Sequence, residues 1–475
     1  MSIFTCTKHS MLFNSLDFAL FLPVVFALYW WVPKTSNRQN MVLLLASLFF
    51  YGWWDLRFLG LILFSCLIDY FIGLQLQATT EEKKRKLLLG SSLFINLSLL
   101  GFFKYFNFFQ ASFVDAFNFL GGDISTFHLK IILPVGISFY TFQTLSYTID
   151  IYRKQLLPVR RFADFATFVT FFPQLVAGPI ERAQRMIPQL SRARSFSLQQ
   201  GKEGVQLIVF GLFRKMVIAD NLGVYVDRVW EYPEAITPYM AVFASIFFSV
   251  QIYMDFSGYS RIARGVAKLF GVELMINFNY PYKAQTFGEF WSRWHISLST
   301  WFRDYLYIPL GGNRHHAGKT LLNLGIVFTI SGLWHGAAWN FVLWGGLQFI
   351  MLALERLIKL PKTLVIRRLQ WVKTLILINF SWVLFRADGW SQAKTFLIQM
   401  CTPEAFVGIN SLTFQSPIAL LINIALVIGL PFFLKLEKHF LQCSLPVQKT
   451  VLVATLVLMS VLQFSNEKAF IYFQF

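Results

Sequence analysis

The sequence predicts an all-α, polytopic integral membrane protein with about 11 to 13 membrane helices and re-entrant segments. Three observations lead there. The 475 residues are 56% hydrophobic and only 14% charged, whereas a soluble domain carries about 25% charged residues. Apolar runs recur along the chain, many of them near the ~20 residues a helix needs to cross a bilayer core. The Lys and Arg residues, 42 against 24 acidic ones, gather in short clusters between those runs. The net charge of +18 could suit nucleic acid, but its placement fits positively charged cytoplasmic loops. Membrane lipids, and no nucleic acid, are therefore expected as partners. The four cysteines (Cys6, Cys66, Cys401, Cys443) are scattered without a CxxC pair, so neither a disulfide framework nor a metal site is expected.

In chain order, residues 1–10 form a short N-terminal extension, with Met11 an alternative start. The run 13–32 has no small-residue cleavage site behind it and reads as a retained first span. The region 41–76, interrupted by Asp55 and Arg57, splits into two spans joined by a tight turn. That places the basic loops at Lys34 and Lys83 on one side of the membrane, the cytoplasmic side under the positive-inside rule. Spans follow at 87–109 and 131–152. The aromatic run 162–185 contains Pro173 and the Gly178-Pro179 pair, which free backbone groups that only protein or water can cover; it reads as re-entrant or broken. Further spans are expected at 203–220, 238–256, 320–336, 337–357, 371–387, 416–435 and 449–464. No internal repeat is visible, so the chain reads as one membrane domain, 1–475.

The stretch 285–349 carries the chemistry. Thr286 and Glu289 have the form of a capping box, predicting a helix that runs to about Tyr307 and stops at Pro309 and Gly311-Gly312. Trp291, His295, Leu298, Phe302 and Tyr305 recur on it at helical spacing, which turns His295 toward the protein. The run 321–349 is nearly uncharged and holds one titratable group, His335, at membrane depth. An ionisable residue there is costly and more often belongs to a site or a polar network than to filler. Gly332, Gly336, Ala337 and Ala338 permit close helix approach or a narrow cavity, and Trp334, Trp339 and Trp344 supply walls. A neutral imidazole so placed can take a proton from a hydroxyl nucleophile. It could equally be a buried histidine bonded to a carbonyl. His315 and His316, in a polar loop, read as solvated.

Six motifs, in order, resemble the membrane-bound O-acyltransferase family, in particular its bacterial alginate O-acetylase branch. They are PVGISFYTFQTLSYTIDIYR (134–153), FFPQLVAGPIER (171–182), MDFSGYSRIARGVAKLFG (254–271), FWSRWHISLSTWFRDYLYIPLGG (290–312), SGLWHGAAWNFVLWG (331–345) and SWVLFRAD (381–388). The resemblance implies a ring of helices around a tunnel, with the donor reaching His335 from the cytoplasm and the acceptor from outside. It makes His335 the catalytic base and His295 the second functional residue, 40 positions earlier. Trp334, Trp294, Asn340, Asp255, Ser257, Arg303 and Asp304 are the expected tunnel or supporting residues. Asp304 could equally pair with Arg303, and Asn340 could either orient the His335 ring or satisfy a backbone group.

The activity implied is O-acetylation of an exported, alginate-like polysaccharide in the bacterial inner membrane. The donor would be acetyl-coenzyme A or another acetyl thioester, with no tightly bound cofactor. The acceptor would be the polysaccharide or an extracytoplasmic acetyl-transfer partner protein. A basic cytoplasmic face would attract an anionic donor. The alternatives are D-alanyl transfer to teichoic acid and, outside this family, a glycan or lipid transporter or a non-catalytic export scaffold.

Overall fold

The computed structural model describes residues 11–475 except 128, 177, 234, 235, 359, 360, 362, 403–416, 443–445, 447, 448, 451, 455, 458–469 and 472–475. The expected N-terminal extension, most of the expected span 449–464, Cys6 and Cys443 lie outside the described residues. The described residues form helices and loops and no strand, giving an all-α polytopic membrane protein. They fall into two compact units, Met1–Gly204 with Ala263–Met275, and Val205–Ile262 with Ile276–Phe475.

In the first unit, α1 (Leu16–Trp31), α2 (Ser36–Gly52) and α3 (Leu56–Ala78) follow the expected spans closely. The tight turn within 41–76 exists because Asp55 caps α3: its carboxylate accepts from the Arg57 amide at 2.9 Å and binds the Arg57 guanidinium at 2.6 Å. The next helix is longer than expected. α4 (Glu82–Leu100) passes through a π-turn at Gly101–Tyr105 into α5 (Phe106–Phe119), because no proline or paired glycine lies between Glu82 and Gly121-Gly122.

α6 (Ile137–Tyr152) packs on α3 and α4 around a buried polar knot. The Asp69 carboxylate accepts from Ser92 Oγ at 2.6 Å and Asn96 Nδ2 at 2.8 Å, and Ser92 meets Thr148 at 3.1 Å. An acidic group in an apolar helix is held by such donors rather than left to lipid.

The 162–185 segment is broken as its prolines and glycine predict, into α7 (Phe162–Thr170), α8 (Phe172–Leu175) and, further on, α9 (Ala183–Leu190). Protein covers the freed groups: the Phe172 amide donates to Ser47 Oγ at 3.0 Å, and buried Glu181 accepts from the Met275 amide.

The second unit takes in most of α10 (Leu198–Leu212), a π-turn at Phe213–Ala219, and α11 (Asp220–Glu231). This continuous stretch outruns the expected 203–220. α12 (Pro238–Leu269) also overruns its expected end at 256, since nothing before Gly271 breaks it; its residues to Ile262 belong to this unit.

Then come the short helices α13 (Phe287–Arg293) and α14 (Ile296–Phe302). They are followed by α15 (Ala317–His335), α16 (Trp339–Leu357), α17 (Leu364–Arg386), α18 (Trp390–Cys401) and α19 (Pro417–Gln442). By length and apolarity, α3, the α4–α5 helix, α12 and α19 can each cross a membrane.

Candidate active site

The site lies wholly in the second unit and begins at a break. The single helix expected from Thr286 to Tyr307 starts as predicted, with Thr286 Oγ1 accepting from the Glu289 amide at 3.1 Å, but it is interrupted at His295. That residue adopts φ +44°, a left-handed conformation costing a non-glycine residue about 1–2 kcal/mol. Tertiary bonds hold it there. The Ile296 amide donates to Asn277 O at 3.0 Å, and the Ser297 amide and hydroxyl donate to Asn277 Oδ1 at 3.2 and 2.9 Å. On the other side of the kink the Asn279 amide donates to Arg293 O at 3.0 Å. The helical spacing expected from Trp291 through His295 to Tyr305 is therefore lost, because a competing backbone segment takes over the hydrogen bonds the helix would have made. His295 is still turned inward, 1% exposed.

His335 closes the last turn of α15 and is 5% exposed. Its position depends on close contact between α15 and α16. A Cβ on Gly332 would stand 2.2 Å from Phe341 O, and one on Gly345 would stand 2.3 Å from Phe328 O. The small residues predicted to allow close approach therefore do so, and the hairpin turns at 336–338.

The two histidines come together, with ring centroids 6.3 Å apart. Trp334 stands beside both, 5.0 Å from His335 and 5.9 Å from His295. Around His335 stand Trp344 at 5.2 Å and Phe385 at 5.4 Å, both edge-on. Phe256 meets His295 edge-on at 4.7 Å. Trp294, fully buried, extends the wall through Trp382 at 4.9 Å, and Trp382 stacks on Trp344 at 5.9 Å. Trp339 does not serve as a wall: it opens α16 and is 60% exposed. Phe256, Trp382 and Phe385 were not singled out in the sequence, since aromatic residues are common throughout this chain and their partners lie far off in sequence.

The remaining candidates separate by location. Asn340 donates to Ala387 O at 2.7 Å and Leu384 O at 3.3 Å; of its two expected roles it takes the backbone one, tying α16 to the end of α17. Arg303 and Asp304 pair at 2.7 Å and are partly exposed. His316 is exposed and caps α15 through the Lys319 amide at 3.3 Å.

Asp255 and Ser257 flank Phe256 on α12 and enter a buried charged network. Lys215 Nζ bridges Asp255 at 2.8 Å and Asp220 at 2.7 Å. Arg214 donates to Ser257 Oγ at 2.7 Å and pairs with Glu437, which also binds Arg261 at 2.8 Å. The Ile471 amide donates to Asp255 at 2.7 Å, and Phe470 packs on Phe256 at 5.4 Å. Arg214, Lys215 and Glu437 were legible only as charges inside apolar runs, a signal that can mark a functional interior. Among the described residues no cluster of His, Cys, Asp or Glu could hold a metal ion.

Two buried imidazoles in an aromatic enclosure, one closing a helix and one on a strained backbone, are suited to moving a proton away from water. Comparison with known proteins identifies the family. A family model described as "MBOAT, membrane-bound O-acyltransferase family" matches residues 13–390. The "probable alginate O-acetylase" of Azotobacter vinelandii is 41% identical over 392 residues, covering 80% of this chain and 76% of that protein. The peptidoglycan O-acetyltransferase of Helicobacter pylori is 36% identical over 442 residues, covering 85% of this chain and 81% of that protein. The teichoic acid D-alanyltransferase of Bacillus subtilis is 28% identical over 228 residues, covering 44% of this chain and 56% of that protein. With most of its length and all six motifs accounted for, the chain belongs to the membrane-bound O-acyltransferase family.

Proposed function

We propose that this O-acyltransferase transfers acetyl groups from a cytoplasmic thioester, acetyl-coenzyme A or another acetyl thioester, to hydroxyl groups of an alginate-like polysaccharide exported through the bacterial inner membrane, directly or through an extracytoplasmic carrier protein. The observation that carries it is the His295–His335 pair enclosed by Trp334, Trp344, Phe256 and Phe385. His335 takes the proton of the acceptor hydroxyl as its oxygen attacks the thioester carbonyl. Collapse of the tetrahedral adduct breaks the C–S bond, and the thiolate leaves with the proton returned by His335. His335 ends α15, where the partial negative charge of a helix C-terminus favours the transient imidazolium. His295, held by Asn277, positions the donor or steadies developing charge.

The acetyl reading is favoured over D-alanyl transfer because both acetyl-transferring relatives match along four-fifths or more of this chain, and the D-alanyl relative along less than half. Family membership leaves the transporter reading without support.

The test is the ester-linked acetate on exported polysaccharide from cells carrying wild type or His335→Ala at equal membrane levels. Loss of ester with normal polymer export is the expected result. Unchanged ester content refutes His335 as the base.

A further inference from the structure

Acyl transfer produces a negative oxygen as well as a proton, and no hydrogen-bond donor aimed at that oxygen has been named beyond the alternative role offered to His295. A buried indole N–H in a folded protein normally finds an acceptor. Several tryptophans of this chain, from the fully buried Trp382 to the half-buried Trp30 and the exposed Trp371, have such an acceptor. Trp382 Nε1 donates to Tyr282 Oη at 3.2 Å, Trp371 Nε1 to Tyr282 O at 2.9 Å and Trp30 Nε1 to Leu269 O at 3.1 Å.

Trp344 and Trp291 do not. Each has its Nε1 buried with no acceptor among the described residues. Trp344 is 1% exposed and its ring stands 5.2 Å from His335. Trp291 meets Trp344 edge-on at 5.7 Å. Leaving a buried donor unsatisfied is costly, and the two lie in ring contact, with Trp344 beside the proton acceptor. Trp230 also holds an unaccepted buried N–H, but its ring is stacked on Phe396 at 3.6 Å and no histidine is recorded against it.

We infer that the indole N–H of Trp344, assisted by that of Trp291, is the oxyanion donor of the transfer reaction, so that Trp344 is a catalytic residue. The inference rests on the acyl-transfer reading above. As the acceptor oxygen forms its bond to the carbonyl carbon, the carbonyl π pair moves onto oxygen. The idle N–H donors then bind that oxygen at the moment its charge appears. When the pair returns to carbon the C–S bond breaks, the N–H bonds lapse, and the thiolate takes the proton from His335. Donors left unpaired in the resting site favour the transition state over the ground state, because no existing bond must be broken to use them.

The experiment compares initial rates of ester-acetate appearance on exported polysaccharide after induction, normalised to membrane protein level. The chains are wild type, His335→Ala, Trp344→Phe, Trp291→Phe, Trp371→Phe, and one with Trp344 replaced by 3-benzothienylalanine. That last analogue keeps the fused-ring shape and deletes only the N–H, so it separates donation from packing. The rate is expected to fall about 100-fold for the benzothienyl replacement, the usual effect of removing one oxyanion donor. A smaller fall is expected for Trp291→Phe, and no change for Trp371→Phe. A benzothienyl chain within about threefold of wild type overturns the inference, whatever Trp344→Phe does, while loss of ester in His335→Ala keeps the acyl-transfer reading standing. Full ester in His335→Ala overturns both.

Discussion

His295 shows best what one residue does here. A non-glycine residue at φ +44° is retained when its surroundings overdetermine it, and Asn277 supplies that constraint through both its carbonyl and its side chain. Without the kink, α13 and α14 would run on as one helix and carry the ring away from His335. Asn277→Ala should therefore destabilise the protein by about 1–3 kcal/mol, the cost of leaving buried partners unsatisfied. Its ester-acetate activity should fall by more than that stability loss explains. Thermal unfolding in detergent alongside ester content checks this, and full activity in a destabilised variant would show that Asn277 only braces the fold. The ring was legible as turned toward the protein from its helical spacing, and as a functional candidate through the resemblance. The kink was not, because no glycine or proline marks it and its cause lies in a segment 16 to 18 residues earlier.

At the scale of elements, membrane helices gain little from burying apolar surface against lipid, so close backbone contact and polar knots decide their pairing. The α15–α16 hairpin depends on Gly332 and Gly345, whose Cα atoms face each other. Gly332→Ala places a methyl 2.2 Å from Phe341 O, and overpacking of this kind costs about 1–3 kcal/mol. Because His335 lies three residues on, ester formation should fall with it, and unchanged melting and activity would contradict the packing described.

The α2–α3 turn makes a separate prediction. Hydrogen bonds from Arg57 hold the Asp55 carboxyl below its ordinary range, so its capping contribution is fully present above the unfolded carboxylate's range and is lost as pH falls through the folded value. Asp55→Ala should cost about 1 kcal/mol at neutral pH, and the difference in melting from wild type should vanish in acid; a difference that persists there would mean the carboxylate is not its source. These elements were legible because their signals are local: Asp55 after an apolar run, small residues beside His335, and proline with glycine in the broken 162–185 segment. The overruns of α5, α11 and α12 were not, since charge and apolar content set the expected ends while the helices continued to the next true breaker.

For the whole molecule, composition with the recurring apolar runs pointed to the all-α membrane class, and the ordered motifs pointed to the family. The site needed more than either. His335 stood out as the one ionisable group in an uncharged run, and His295 gained weight only from the resemblance. The charged network of Arg214, Lys215, Asp220, Asp255, Arg261 and Glu437 is assembled from the π-turn at Phe213–Ala219, α11, α12 and α19, and no local pattern joins residues so far apart. Its effect is to tie α12, which carries Phe256 against His295, to the helices on either side of it in sequence. Phe256, which meets His295, thus sits on a helix fixed by buried ion pairs, and such pairs destabilise strongly when one partner is lost.

The proposed mechanism makes His295 and His335 one unit around the reacting carbonyl. Groups that act together are strongly non-additive, so removing either costs about as much as removing both. The decisive measurement is the ester-acetate rate for His295→Ala, His335→Ala and the double variant, at matched membrane levels and polymer export. The double variant is expected to retain the same residual rate as His335→Ala. Losses that multiply, or a His335→Ala chain that acetylates at the wild-type rate, would contradict the mechanism.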